Sequence, residues 1–321
     1  MSATQAPLRF ERVRNFGRVF SETRSFLKEN FTTFFLSLLF LAGPVVIITC
    51  ALEMYYEIEL AGPNDFPSLD RIGSYLAMTT FYREGRWLIN GLVIAIVVSH
   101  FVKVYREKGP GKFDVGDVTR SLFRNLGSSL TGFIIIFLGV AIITAVIGFL
   151  VYGLAELSIG AAVLVLLSCG IAYFLIRFPF WYLVYSVFFA NTSGDRGIFG
   201  SIGFAGKFFS GNWWSTWVIF FCMWLLLYLV GVAISLPAEV LTGIAKLSSI
   251  TSGNDDVDWK LIQTIAGTLG EFARTMVNSV FCIAIALHFH SLKEKVDGEG
   301  TKKLVESIGT KQEDEQVDLT Y

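Results

Sequence analysis

Six long apolar segments constrain the fold of this chain more than any other feature of its sequence. A helix needs about 20 mostly apolar residues to cross ~30 Å of hydrocarbon, and in lipid it also satisfies its own backbone hydrogen bonds. The sequence therefore predicts an all-α, polytopic helical membrane protein. The six predicted transmembrane helices cover residues 31–52, 87–104, 130–154, 161–190, 216–238 and 266–290.

The composition agrees with a membrane location. Of the 321 residues, 53% are hydrophobic and 17% are charged, whereas soluble domains carry about 25% charged residues. The net charge of −1 gives no reason to expect a nucleic-acid partner, and the lipid bilayer is the expected surrounding. All four cysteines fall within predicted spans, so a disulfide framework of the kind found in secreted domains is excluded.

The distribution of Lys and Arg predicts the orientation of the spans. Cytoplasmic loops near a membrane carry an excess of these residues. Nineteen of the 26 lie on one side, namely before span 1, between spans 2 and 3, between spans 4 and 5, and after span 6, while six lie on the other side. Both termini are therefore predicted to be cytoplasmic, in a multi-pass protein of a bacterial inner membrane.

Three similar stretches precede spans 1, 3 and 5, at residues 23–31, 119–126 and 205–213. Each has a basic residue, a pair of bulky apolar residues and then Asn, just before the membrane begins. Ahead of the first stretch, apolar residues recur at helical spacing among arginines, which is typical of a basic amphipathic helix at a membrane surface. The prediction is three repeated hairpins, each preceded by a cytoplasmic amphipathic helix. The alternative is that every cytoplasmic entry into a membrane is basic and aromatic.

This pattern divides the chain into three regions. Residues 1–30 are predicted to form the first cytoplasmic amphipathic lead-in helix, and residues 31–291 the six-span membrane domain. Residues 292–321 are predicted to be an acidic, partly disordered cytoplasmic tail, because they end in a stretch with few apolar residues. The aromatic loop between spans 1 and 2, residues 53–86, is a candidate docking surface on the other side.

Two features of the sequence suggest a family. The lead-in segments end in the pattern Lys/Ser-x-Asn-Trp, where x is any residue, and the chain later contains Ser291-Leu292-Lys293-Glu294 and Ser307-Ile308-Gly309. These features resemble a bacterial family of multi-pass proteins of the glycerophosphodiester phosphodiesterase membrane-domain type. The resemblance covers most of the chain and is architectural. It implies the membrane part only, because catalysis in that family resides in a separate soluble barrel, and it assigns no catalytic residue here.

Span 6 carries the most informative polar residues. Glu271, Arg274 and Asn278 are spaced i, i+3 and i+7, so they form one stripe on a helix, with Glu271 and Arg274 expected to pair. A polar stripe within a membrane helix should face the bundle. Two interpretations stay open, a buried ion pair that fixes the position of the helix and a functional polar cavity open to the outside.

Arg177 is the one cation well inside a predicted span. Charges inside a membrane are costly and raise a functional hypothesis, here a contact with an anion or a lipid headgroup. Arg177 lies about 24 Å from the start of span 4 at 1.5 Å per residue, so its side chain can also extend to the cytoplasmic headgroups. Pro179 is expected to kink the helix nearby.

The three histidines, His100, His288 and His290, all fall at the cytoplasmic ends of spans. His288 and His290 are two residues apart and point to different sides of a helix, so they cannot chelate one metal ion together. His100 together with one of them stays geometrically possible as a metal-ligand pair, but interfacial packing is the expected role, and no metal site or cofactor is predicted.

Three function classes compete. No cluster of titratable residues of the kind that acid–base or metal chemistry requires is present, so we expect a non-enzymatic integral membrane protein, a subunit or scaffold of a larger inner-membrane assembly with other membrane subunits as partners. The alternative is a small-solute or lipid transporter or channel that uses the polar stripe of span 6. A membrane-embedded lipid enzyme is the third class.

The orientation leads to a labelling prediction. Single cysteines introduced at Ser68 and Ser252 should react with an impermeant thiol reagent added outside the cell, and cysteines at Lys112 and Gly300 should react only after the membrane is opened. Labelling of Lys112 from outside would contradict the six-span topology.

Overall fold

The computed structural model describes residues 8–10, 12–61, 69–157, 159–193, 197–251, 259–298 and 302. These residues form helices joined by short connections, and no strand occurs among them, which confirms the predicted all-α class. The nine helices of the described residues are α1 Phe16–Leu41, α2 Gly43–Ala61, α3 Leu69–Lys108, α4 Val115–Arg124, α5 Leu126–Leu157, α6 Ile159–Ser193, α7 Ile198–Ser210, α8 Trp213–Thr251 and α9 Trp259–Asp297.

Within the described residues, five helices contain segments long and apolar enough to cross a membrane, and the number becomes six if α1 and α2 together form one span. The five are α3, α5, α6, α8 and α9. The chain is therefore a multi-pass helical membrane protein. The threefold repeat of hairpins stays a prediction, although the short helices α4 and α7 do precede α5 and α8.

The first predicted span, residues 31–52, is not one straight helix. It is divided between α1 and α2, which meet at an angle of 58°. Helix α1 ends where the backbone N–H of Ala42 donates to the carbonyl of Leu38, and Pro44 follows with no N–H to donate. Hydropathy alone misses this bend, because Ala42, Gly43 and Pro44 do not interrupt the apolar stretch.

The packing is uneven around the bundle. In the 18-residue apolar window within Tyr82–Lys108 of α3, 72% of the residues are buried, whereas in Leu126–Ile143 of α5 only 11% are buried. Helices α3 and α9 therefore form the centre, and α5 lies at the periphery. The longest unbroken run of buried residues extends from Cys282 to Leu292 in α9. It belongs to the terminal end of the bundle, which we define as the end where α1 begins and where α3 and α9 finish.

The amino-terminal segment, residues 8–10 and 12–15, folds against this terminal end before α1 starts at Phe16. The ring of Phe10 is 1% exposed and contacts the rings of Phe26, Tyr105 and His290. The backbone N–H of Arg14 donates to Ser291 Oγ over 2.7 Å. The lead-in predicted as a helix over residues 1–30 is thus, in its described part, a non-helical segment followed by the first turns of α1.

The side chain of Arg14 holds this segment in shape. Its guanidinium donates to the backbone carbonyls of Arg9, Phe10 and Arg12 and pairs with Glu22 over 2.6 Å. A buried arginine is tolerated when its donors are satisfied in this way. Arg14 therefore stabilises the fold of the segment, a role that its count among basic flanking residues did not suggest.

Helix α4 begins with a capping box, in which Asp114 and Asp117 each accept a hydrogen bond from the other's backbone N–H. Lys108, at the end of α3, pairs with the carboxylate of Asp117 over 2.6 Å. The hydrogen bond from Lys108 is the main reason that the pKa of Asp117 lies below its usual value. The connection between α3 and α4 is thus fixed at both sides of Gly109 and Gly111, whose positive φ angles of 85° and 67° suit glycine.

Helix α9 continues to Asp297, so the first residues after 291 are helical. Residues 299–301 and 303–321, which carry most of the predicted acidic tail, lie outside the described residues. The same holds for residues 62–68 of the aromatic loop and for the side chains of residues 57–81. At the edge of that loop, the rings of Tyr56 and Tyr82 stack 4.4 Å apart.

Helices α8 and α9 approach each other closely through small residues. A Cβ added at Gly270 would lie 3.1 Å from Cβ of Ala238, and one added at Gly231 would lie 3.0 Å from Cγ of Arg274. Membrane helices associate through such small-residue contacts, because lipid offers no hydrophobic driving force between them.

We therefore predict that Gly270→Val lowers the thermal stability of the purified protein, by about 1–3 kcal/mol of overpacking. Gly243→Val in α8 is the matched control, since a Cβ at Gly243 meets nothing within 4 Å. Thermal unfolding in detergent measures both variants, and equal melting temperatures would contradict the close contact of α8 with α9.

Candidate functional site

Five charged side chains from four helices form one continuous chain at the end of the bundle opposite the terminal end. The members of this ion chain are, in order, Glu53 of α2, Arg86 of α3, Glu271 and Arg274 of α9, and Glu239 of α8. Each arginine lies between two carboxylates. The chain therefore ties together helices that are far apart in the sequence.

Arg86 is the most enclosed cation of the ion chain, with 6% of its side chain exposed. Its Nε pairs with Glu53, whose side chain is 8% exposed, and its Nη1 lies 2.9 Å from Glu271 Oε2. Nη1 also donates to Cys50 Sγ over 3.8 Å, and the guanidinium carbon lies 5.7 Å from the centre of the Trp87 ring. Arg86 thus joins α2, α3 and α9 at one point.

The other half of the ion chain is more open. Arg274 Nη1 lies 3.1 Å from Glu271 Oε1, and Nη2 lies 2.8 Å from Glu239 Oε1. Glu239 also accepts a hydrogen bond of 2.7 Å from Ser235 Oγ, one turn before it in α8. Because the side chain of Glu239 is 53% exposed, the chain runs from a buried end at Glu53 to an open end at Glu239.

The signs of the charges alternate along the ion chain, with three carboxylates and two guanidinium groups. A buried charge is costly unless an opposite charge and hydrogen bonds compensate it. Here each arginine lies between two carboxylates. The five charges sum to −1, which is the smallest net charge that five unit charges can have. The arrangement stabilises the position of four helices, and it leaves neither arginine available as a lone cation.

The sequence correctly brought Glu271 and Arg274 into contact, but it missed the rest of the ion chain. Glu53 and Arg86 had been assigned to the loop between spans 1 and 2, and Glu239 follows the predicted end of span 5. One signal was available, because all three flank predicted spans at the same end of the bundle as Glu271. What hydropathy could not show is that the helices α2, α3 and α8 extend past the predicted spans and carry these residues into contact.

A cavity adjoins the ion chain between α3, α6, α8 and α9, with a volume of about 60 Å³. Arg86, Asn90, Thr275 and Asn278 contribute polar groups to its lining. Asn278, the third residue of the predicted stripe, thus lines the cavity and not the ion chain. The walls are mostly aromatic, formed by Trp87, Phe178, Trp181, Tyr185, Trp224 and Phe281.

Gly91 shapes one wall of this cavity. A Cβ at this position would lie 2.6 Å from an atom of the Trp181 ring, so any other residue would displace that ring. The absence of a side chain on α3 lets the indole of α6 lie directly against the helix backbone, which is a packing reason for glycine at this position.

Arg177 cannot be assigned a contact, because its side chain lies outside the described residues. The helix that contains it, α6, continues from Ile159 to Ser193 with Pro179 inside it. A contact of Arg177 with an anion or a lipid headgroup therefore stays a prediction.

The three histidines are buried at the terminal end and have different neighbours. The two ring nitrogens of His100 lie 3.1 Å from Ser121 Oγ and 3.3 Å from Ser129 Oγ. His288 Nε2 lies 3.2 Å from Thr216 Oγ1, and the His290 ring contacts Phe10. His288 and His290 thus face different sides of α9, as the sequence predicted from their spacing.

The ion chain and the cavity offer charged and hydrogen-bonding groups that can bind and position other groups. Among the described residues, no three His, Cys, Asp or Glu side chains are placed to hold one metal ion. A comparison with known proteins finds no matching family model, no matching curated protein and no matching solved structure. The interpretation of the site therefore depends on its own geometry.

The alternating charges lead to an ordered prediction for stability. Arg86→Gln leaves Glu53 without its cation and changes the sum of the ion chain to −2, so it should cost about 3–5 kcal/mol of unfolding free energy. Glu271→Gln leaves two neutral pairs, Arg86 with Glu53 and Arg274 with Glu239, so it should cost clearly less. Thermal unfolding in detergent measures both.

The matched control is Arg83→Gln, one turn earlier on α3, where the side chain is exposed. Exposed substitutions usually change stability by less than about 0.5 kcal/mol. If Arg86→Gln proves as mild as Arg83→Gln, or milder than Glu271→Gln, the ion chain does not hold the helices as described.

Proposed function

We propose that this protein is a non-enzymatic membrane protein that acts as a subunit or scaffold of a larger inner-membrane assembly, with both termini in the cytoplasm. The single observation that carries the proposal is the exposure of the first part of α5. Only 11% of the residues of Leu126–Ile143 are buried, and most of the others are exposed, so this segment offers a face to molecules other than its own chain. The resemblance to the glycerophosphodiester phosphodiesterase membrane-domain type is compatible with this role and adds no activity.

A small-residue position supports contact between α5 and another membrane helix. Gly139 is exposed, and a Cβ placed there meets nothing within 4 Å. Glycine lowers the stability of a helix relative to alanine. A close contact with another helix backbone would compensate for that loss. Close helix contacts in membranes use small residues of this kind, so a helix of a partner subunit at Gly139 would account for the residue.

The ion chain supports the same proposal, because it disfavours the transporter alternative. The two stripe residues that a solute would have to use, Glu271 and Arg274, are engaged by Arg86 and Glu239 within 3.1 Å. A transport pathway through them would have to break these ion pairs at each cycle. The ion chain is therefore better suited to hold helices in place than to carry a solute.

The alternative, a small-solute or lipid transporter or channel, is favoured by one observation. The cavity lined by Asn90 and Asn278 lies beside the ion chain and within the membrane-spanning part of the bundle. If this alternative holds, the purified chain alone should move a solute or lipid across liposome membranes, and Asn278→Leu should abolish that flux.

The test of the subunit proposal is site-specific photo-crosslinking in cells. A photoreactive residue at Ile134, Leu138 or Ile142, which lie on one exposed face of α5, should give a protein adduct of the same added mass at all three positions. Gly139→Leu should abolish the adduct, because the approaching helix is blocked. The melting temperature of the purified protein should not change, because the space at Gly139 is open.

Two outcomes would contradict the subunit proposal. One is the absence of any protein adduct at all three positions. The other is solute flux by the purified chain in liposomes, which would favour the transporter alternative.

A further inference from the structure

The cavity beside the ion chain is lined by an amide group of which the fold uses only one half. Asn90 is 3% exposed, and its Oδ1 lies 2.7 Å from Thr49 Oγ1 of α2, a helix that does not line the cavity. Its Nδ2 has no partner among the described residues. A buried polar group without a partner destabilises a fold. A molecule in the cavity that bonds to Asn90 would remove this cost.

The contact between Asn90 and Thr49 can be made with the amide in either of two orientations. Thr49 Oγ1 lies 3.0 Å from the carbonyl of Val46 as well as 2.7 Å from Asn90, and a hydroxyl has only one proton to donate. If Val46 takes that proton, the amide turns by half a rotation and donates to Thr49, and its oxygen becomes the unused atom. A molecule that can both donate and accept a hydrogen bond satisfies Asn90 in either orientation.

The charges around the cavity disfavour an ion as the occupant. Arg86 lines the cavity and lies between Glu53 and Glu271. A cation would be repelled by the guanidinium of Arg86, and an anion would add to an ion chain whose sum is already negative. Both repulsions are strong in a medium of low dielectric constant. A neutral molecule that forms hydrogen bonds avoids them.

The size of the cavity selects among neutral molecules. A cavity of about 150 Å³ in another protein takes one benzene molecule, whereas about 10–15 Å³ is enough for a water molecule. The volume of about 60 Å³ therefore has room for a few waters and not for an aromatic ring. A buried water makes about three hydrogen bonds, and two helices supply polar groups for them, namely Arg86 and Asn90 of α3 and Thr275 and Asn278 of α9.

We propose that the cavity is a binding site for a small cluster of ordered water molecules that bridges α3 and α9. One water bonds to the unused atom of Asn90, and the cluster extends to Asn278 on the facing helix. Because Arg86 belongs to the same lining, these waters also solvate the most enclosed cation of the ion chain, which lowers the cost of burying it. The site is independent of the proposed subunit role, because α5 contributes nothing to its lining.

The test is radiolytic hydroxyl-radical labelling of the full-length protein in lipid nanodiscs. An X-ray pulse produces hydroxyl radicals from water, and these radicals oxidise aromatic rings that lie next to the water. Phe281 lines the cavity, whereas Phe137, which is also half-buried, lies in the candidate span of α5 and does not line it. Peptide mass spectrometry should therefore find that Phe281 is oxidised severalfold faster than Phe137.

Two variants test whether the polar groups hold the water. Asn90→Leu removes both polar atoms of the amide at similar volume, so the oxidation rate of Phe281 should fall about tenfold, the factor that corresponds to 1.4 kcal/mol of binding. Thr275→Val removes only a hydroxyl and should lower the rate in the same direction. Thr131→Val, the same substitution on the exposed face of α5, should leave it unchanged. If Asn90→Leu does not fold, Thr275→Val and the unmodified protein decide the question.

Two results would overturn the proposal. Oxidation of Phe281 no faster than that of Phe137 would indicate a cavity that is dry or filled by lipid. An unchanged rate in both cavity variants would indicate bulk water that enters without being held by these side chains. A lower rate in Asn90→Leu alone would support the site and remove Thr275 from its partners.

Discussion

The position of Arg86 between Glu53 and Glu271 is the constraint on which the arrangement of the helices depends. An arginine at this depth is tolerated only with carboxylates against it, and the two carboxylates come from α2 and α9. The bent pair α1–α2 must therefore meet the last long helix at this point. Arg274 is compensated in the same way, between Glu271 and Glu239 of α8, so one run of alternating charges fixes four helices.

The two ends of the bundle are held by different physical means. At the terminal end, aromatic rings and buried histidines form the contact, with Phe10, Phe26 and Tyr105 enclosed together. At the opposite end, ion pairs take that role, and their side chains range from buried at Arg86 to exposed at Glu239. Helix α5 contributes to the terminal end through its first turn, where Ser129 lies against His100, and the rest of its described span is mostly exposed. The rigid part of the protein is thus a core around α3 and α9, to which α5 is attached through α6 and α7.

The sequence was informative where one physical rule acts alone. Length and hydropathy were sufficient to predict an all-helical chain with five or six membrane-spanning helices, and the i, i+3 spacing was sufficient to bring Glu271 next to Arg274. It failed where two distant segments had to be combined. Arg86 and Glu53 looked like loop residues, because hydropathy ends a span at the first charge and cannot tell that a later residue neutralises it. The bend at Ala42 and the unpartnered amide of Asn90 were likewise hidden, since both depend on three-dimensional neighbours.

The hydrogen bond from the backbone of Arg14 to Ser291 joins residues 277 positions apart. A ribosome therefore releases the amino-terminal segment long before its binding site exists, and five further long helices must enter the bilayer first. Until α9 is synthesised, Phe10 has no His290 to contact and Arg14 has no Ser291 to donate to. The segment that precedes α1 thus completes its contacts only when the last long helix is in place.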